Sequence, residues 1–442
     1  MPTEAPSSQR QGLNPPSLNE PLHEDVLWGI FSLCANMNLA TEDVTPAIDT
    51  LRSLSQVSSS WRRVLIAAPT LWGRVLNLAR LERSKSWLEE VVKRSDGSWL
   101  HVRAIIGEEH REGGYHDFVR LFVKKHWDRI WSLNIELGMG MTSMNDTGEW
   151  ILLFASPSNL RSVTVRSSIF AFDLLPVHSP HLEAMELSDD ARAGRHEHFE
   201  NRVPLGTISM PNLRQIAIKT HWQHLADSLL AVLCQISPAD DCLLNFVAPF
   251  TFSLGEMPEI VQLMPRVLSK YLRHAAECSD LQKDSQTKVT ITPTVVDFMI
   301  SSPSTSHYSS ASFRFSIDCA SGGFPGVSQD LPAALPPTFI SSFQSIEFDE
   351  IKSLSISLSF PGNIADMAFR QFARMFPSLE HLTVDAESLK SVNLFSEPGP
   401  FVSLPDLKDI FLRNYGALSD AQIAAIPSLL GASPETPVYI EN

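Results

Sequence analysis

The side chains of this chain best suited to chemistry are its histidines, cysteines and carboxylates. His221 and His224 stand three apart, a spacing that can share one helical face, but no third ligand accompanies them. His196 and His198 flank Glu197 in a charged stretch that reads as a solvated loop. Gly138-Met139-Gly140 lacks the flanking lysine and helix start of a phosphate loop. There is no G-x-S-x-G elbow, no H-E-x-x-H and no Walker-type loop. Carboxylates are abundant, and no pair stands out for acid–base work. The expectation is a non-catalytic chain with no metal and no cofactor.

Charge and composition narrow the remaining classes. The formal net charge of −15 argues against a partner held through phosphate contacts, so no nucleic acid is expected. The same charge disfavours an anionic membrane surface, and no apolar run approaches a span. Five cysteines, Cys34, Cys234, Cys242, Cys278 and Cys319, are odd in number and widely spaced. They form neither a disulfide framework nor a zinc pattern, which fits reduced thiols in an intracellular protein of the cytoplasm, the nucleus or both. Residues 1–17 are polar and proline-rich and read as a disordered tail.

With chemistry unpromising, the apolar patterns carry the argument. In residues 22–34, LHEDVLWGIFSLC, the positions Leu22, Val26, Leu27, Ile30, Phe31 and Leu33 recur at helical spacing. Asn19 is suited to cap that helix, with Pro21 near its first turn. In residues 51–72, Leu51, Leu54, Val57, Trp61, Val64 and Leu65 form a second helical stripe, which Pro69 is expected to stop. Neither helix can bury so much apolar surface alone, and the segment is small for an independent core. Such a unit suggests a docking surface with anchors at i, i+3, i+4 and i+7.

The ordered residues of these two stretches resemble an F-box. Leu22, Asp25, Val26, Leu27, Ile30 and Phe31 match its opening, with His23 where proline is usual. SQVSSSWRRV and the downstream APTLW resemble its second half through Trp61, Arg62, Pro69, Leu71 and Trp72, while Ser58 replaces the common cysteine. The segment is similar to the expanded fungal, basidiomycete-like set of F-box proteins. The resemblance implies that residues 18–72 bind a Skp-type adaptor and, through it, a cullin. The adaptor-binding residues it implies are Leu22, Val26, Leu27, Ile30, Phe31, Val57 and Trp61, with Trp61 either closing the unit or joining the patch.

Downstream, one phrase returns. It is LRSVTV at Leu160, LEAMEL at Leu182, LRQIAI at Leu213, LEHLTV at Leu379 and LKDIFL at Leu407, each preceded by a proline. Two weaker copies, IWSLNI at Ile130 and IKSLSI at Ile351, lack the proline. L-x-x-L-x-L sets its last two apolar residues on one face of a short strand. Successive copies lie about 22 to 31 residues apart, the range of leucine-rich repeats. The position usually held by Asn or Cys is Ser168, Asp190, His221, Glu387 or Tyr415, so the regular side-chain ladder is expected to be missing. Helices are expected at 227–236, 364–376 and 420–430. Strand then helix, repeated, predicts a parallel sheet with helices outside.

Residues 242–345 break the cadence. They are read as a helix at 258–278, a polar stretch at 279–288, strands near 289–292 and 313–318, and loops at 301–312 and 321–338. Diverged repeats and a large insertion are both open. Residues 73–126 read as a linker helix at 87–94, a turn at Asp96-Gly97 and a strand that begins or caps the repeats.

The expected fold class is therefore α/β: a small N-terminal helical F-box followed by an irregular leucine-rich-repeat-like solenoid over 127–442. By resemblance, the expected function is the substrate-recognition subunit of an SCF-type ubiquitin ligase, with an unspecified target protein. The alternatives are an adaptor-independent scaffold with a diverged F-box, or an enzyme whose site lies within 242–345.

Overall fold

The computed structural model describes residues 22–37, 47–106, 114–137, 149–150, 152–156, 158–167, 179–188, 207–221, 223–249, 258–278, 281, 285–302, 312–319, 331, 333–360, 362–392, 394–395 and 400–441. The chain divides into two compact units, Met1–Val102 and Arg103–Asn442.

The first unit is mainly helical. Helix α1 spans Glu24–Cys34 and is capped by His23, whose Nδ1 accepts from the Asp25 N–H at 3.4 Å. The cap expected at Asn19, with Pro21 beside it, lies outside the described residues. The second apolar stripe is two helices rather than one, α2 (Ala47–Leu54) and α3 (Ser59–Ile66). Ser58 breaks it, because its hydroxyl accepts from the Trp61 N–H at 3.1 Å and starts α3 afresh. Pro69 does not merely stop a helix. It opens α4 (Pro69–Gly73), at a position where the missing N–H has no helical partner to lose.

Trp72 is the pivot of this unit. It is fully buried and donates from Nε1 to the Leu65 carbonyl at 2.8 Å, tying α4 to the end of α3. After β1 (Leu76–Asn77) and α5 (Leu78–Leu81), α6 (Lys85–Arg94) returns to cover it. The Trp87 ring meets Trp72 edge-on at 6.0 Å, and the Arg94 guanidinium lies 4.7 Å above the same indole. Gly97, at φ 75°, turns the chain into β2 (Leu100–Ile106).

In the second unit, all seven phrases read from the sequence form strands. They give β3 (Ile130–Leu137), β4 (Ser162–Ser167), β5 (Ala184–Ser188), β7 (Gln215–Lys219), β13 (Ser353–Leu358), β14 (His381–Asp385) and β15 (Asp409–Arg413). The first leucine of each full copy, Leu160, Leu182, Leu213, Leu379 and Leu407, is buried at the turn into its strand. The short β6 (Ile208–Ser209) and β8 (Ile236–Ser237) pair apart from the main sheet.

The remaining strands are β9 (Leu243–Pro249), β10 (Gln286–Ile291), β11 (Val295–Ser301), β12 (Ser312–Asp318) and β16 (Val438–Glu441). From β3 onward the order is β3-β4-β5-β7-β9-β12-β11-β10-β13-β14-β15-β16. The pairings along this run are parallel except for β11, which is antiparallel to β10 and β12. The unit is thus α/β with a large, mostly parallel sheet.

The interval that lost the cadence therefore contributes strands to the same sheet, in reversed order. Strands β9 and β11 were not anticipated. In β11, VVDFMIS, the mid-run Asp297 interrupts an otherwise apolar segment. Most of the loop expected at 321–338 lies outside the described residues, and its last four residues belong to a helix at Leu335–Ser341, whose prolines sit in its first turn. The expected helices appear at Gln223–Gln235, Pro258–Glu277, Gly362–Met375 and Asp420–Leu429.

Strand side chains alternate, so each strand turns one row inward. Beneath the meander the inward row is phenylalanine. Phe298 lies 6.0 Å from Phe313, 4.7 Å from Phe343 and 6.0 Å from Phe372. Helix Pro258–Glu277 packs on β9 and β12 and touches helices Gln223–Gln235 and Leu335–Ser341.

Candidate interaction surfaces

Helix α1 has two apolar faces with different fates. Successive residues turn about 100°, which sets Val26, Ile30 and Leu33 along one side and Leu27 and Phe31 along another, with Leu22 just before the helix. Leu27 (1% exposed) and Phe31 (0%) lie in the core of the first unit, with Ile48, Leu51 and Leu65 also buried there. Leu22 (51%), Val26 (50%) and Leu33 (69%) face solvent, and Ile30 is also exposed. Val57, Trp28 and Ile66 are further exposed apolar side chains of this unit.

The seven residues singled out from the sequence accordingly separate. Leu22, Val26, Ile30 and Val57 are exposed. Leu27 and Phe31 are buried in the core of the unit, because the helix can turn only one of its two apolar faces outward. Trp61 is half-buried and meets Phe31 edge-on with centroids 5.4 Å apart, so it closes the unit. Leu33 shares the outward stripe, and its 69% exposure is not visible from periodicity alone.

Gly29 interrupts this stripe between Val26 and Leu33. A Cβ there would meet nothing within 4 Å, leaving a notch on the helix surface. Burying an exposed Val or Leu side chain contributes about 1.5–3 kcal/mol. Leu22, Val26, Ile30 and Leu33 are already partly covered, so what remains to be gained from each is a fraction of that figure. The ion pair between Arg63 and Glu24, 3.8 Å apart and exposed on both sides, adds little.

A second surface is the outer face of the sheet in the other unit. Its rows mix polar and aromatic side chains and run across strands in register, as in Ser355, Thr383, Phe411 and Tyr439. Ion pairs bridge neighbouring strands. Arg314 Nε lies 2.9 Å from Asp297, and Arg413 Nε lies 2.7 Å from Glu441. His381 Nδ1 is 2.9 Å from Asp409, and Arg161 pairs with Glu183. Just before their strands, Lys352 and Lys408 grip Glu380 at 2.7 and 2.5 Å. Those two hydrogen bonds hold the Glu380 carboxyl down at about 2.

Of the residues considered for chemistry, His221 stands before helix Gln223–Gln235. His196, Glu197, His198 and Gly138-Met139-Gly140 lie outside the described residues. Among the described residues, no three His, Cys, Asp or Glu side chains come together as metal ligands. All five cysteines are free thiols, and burial pushes Cys319 up to about 12. Lys270 Nζ caps the carbonyl end of helix Gln223–Gln235, reaching Leu233 at 3.3 Å and also Ile236.

Asp227 is the most perturbed carboxyl. Burial, followed by the nearby charge of Glu259, raises it to about 7, and its Oδ1 has no hydrogen-bond partner. Among the described residues, no helix is long and apolar enough to cross a membrane. Compared with known proteins, the chain matches no family model, and no curated protein sequence matches it.

Proposed function

We propose that this chain is the substrate-recognition subunit of an SCF-type cullin-RING ubiquitin ligase. In this reading residues 18–72 of the first unit are an F-box that grips a Skp-type adaptor, and the adaptor links it to a cullin. The sheet unit, a diverged leucine-rich-repeat-like body, holds a target protein. The observation that carries the reading is the outward row Val26, Ile30 and Leu33 on α1, with exposed Leu22 just before it, backed by an inward row that keeps the helix in place. A helix with that arrangement is suited to lie in an apolar groove of a partner. The subunit needs no catalytic group, since holding two reactants together raises their effective concentration.

The test is co-expression with a Skp-type adaptor, comparing wild type with Ile30→Lys. Binding by wild type and loss in a folded mutant supports the proposal, because the mutant buries an unpaired charge in the interface. Failure of the wild type to co-purify overturns it. A second reading, a scaffold whose diverged F-box engages no adaptor, draws on His23, which caps α1 where the family usually has proline.

A further inference from the structure

We infer that the outer sheet face at β15 and β16 receives an arginine- or lysine-bearing segment of a partner protein. The inference rests on reading that face as the target surface and is independent of adaptor docking.

Phe411 and Tyr439 are register partners on adjacent parallel strands. Their rings stack with centroids 5.3 Å apart and planes inclined by 22°. Ile410 and Leu412 point inward, so Phe411 points outward, and Tyr439 is 48% exposed. This placement is unusual in the sheet. The stacked pairs Phe246–Phe315 and Phe298–Phe372 consist of fully buried rings. Here Phe411 is half-buried and Tyr439 exposed, so the pair presents a partly open aromatic platform.

The surroundings select what the platform accepts. Asp409 stands two residues before Phe411 on the same strand face, and Asp385 is the register partner of Arg413, two residues after it. By strand geometry both carboxylates lie within roughly 7–8 Å of the Phe411 backbone. Arg413 is matched by Glu441 at 2.7 Å and Asp409 pairs with His381 at 2.9 Å, while Asp385 accepts only from the neutral Asn414 amide at 3.5 Å and, among the described residues, keeps a charge with no cation against it. A cation above the rings gains both the quadrupole attraction and the Asp385 carboxylate. An anionic ligand meets repulsion there, in a chain of formal charge −15.

The chain uses the same geometry internally. Arg161 lies 4.1 Å above Trp131 and Arg370 lies 3.8 Å above Phe401. Among the described residues, no cation of the chain covers Phe411 or Tyr439 in that way.

The test uses the full chain and a fluorescent nine-residue peptide of alternating arginine and serine, with a glutamine-for-arginine peptide as control. Anisotropy is read at physiological salt, where long-range attraction to net charge is screened. Phe411→Leu/Tyr439→Leu keeps every charge and removes the platform, and Tyr439→Leu alone, at an exposed edge position, guards against misfolding. The expected result is binding of the arginine peptide, little binding of the glutamine peptide, and a loss of about tenfold in the double variant at unchanged melting temperature. Equal binding by wild type and the folded variants overturns the inference, since charge alone then explains it. No binding by wild type overturns it too, and adaptor co-purification stands or falls separately.

Discussion

Phe31 and Trp61 meet edge to face, with ring centroids 5.4 Å apart and planes at 69°, and this contact joins α1 to α3. It fixes which side of α1 faces outward. Phe31→Ala is expected to destabilise the first unit by about 3–5 kcal/mol, the usual cost of emptying a buried aromatic site. Leu33→Ala, at an exposed position, should fall within about 0.5 kcal/mol of wild type. Urea denaturation followed by tryptophan fluorescence checks both. Equal effects would show that the inward and outward faces have been misassigned.

Glu380 between Lys352 and Lys408 sets an acid limit. Its carboxyl is lowered from 4.5 to about 2 by the two lysine hydrogen bonds. A depressed carboxyl contributes stability above its unfolded value and loses it as pH falls toward the folded value. The melting-temperature gap between wild type and Glu380→Gln should therefore be full near neutrality and shrink from about pH 4.5 downward. A gap that does not change with pH would assign the effect to packing instead.

Asp227 works in the opposite sense. Its carboxyl is raised from 3.8 to about 7, so between those values the folded chain holds a proton that the unfolded chain has lost. Stability from this group falls as pH rises through that window. Asp227→Asn should flatten the fall and raise the melting temperature at pH 7.5, with little change near pH 4. Scanning calorimetry across that range reads the result, and a variant less stable at pH 7.5 would contradict it.

Gly73 is sensitive for a steric reason. A Cβ there would stand 2.3 Å from the Trp99 carbonyl oxygen and 2.6 Å from Ser98 Oγ. Gly73→Ala must push apart the end of α4 and the approach to β2, at a cost of about 1–3 kcal/mol. Gly29→Ala, where the Cβ meets open space, should instead stabilise α1 slightly. Thermal unfolding of the two variants should move in opposite directions.

Much of the sheet was legible because strand periodicity is short and self-contained. Leu160, Leu182, Leu213, Leu379 and Leu407 each announce a strand without reference to anything distant. Lateral order was not legible. Nothing local to β12 states that Asn245 of β9 will lie beside Arg314. The F-box-like stretch shows a similar division. Spacing gives α1 two apolar faces, but only packing against α2 and α3 makes Leu27 and Phe31 core and leaves Val26 and Ile30 outside. The break at Ser58 was written in the residues as a hydroxyl cap, and the apolar stripe running through it concealed the signal.

The reversed meander also satisfies a condition of parity. Strand β11 runs against both neighbours, so β10 and β12 share one direction, and each borders a parallel partner, β13 or β9. Three strands, an odd number, let the sheet change its connectivity without changing its polarity on either side. A two-stranded hairpin in the same place would have forced an antiparallel seam against one of the flanking runs. The register carries across as well, from Asn245 through Arg314, Met299 and Lys288 to Ser355. Rows of side chains begun before the meander therefore continue after it on the same face, and the outer surface stays continuous across a stretch where the chain has stopped counting in repeats.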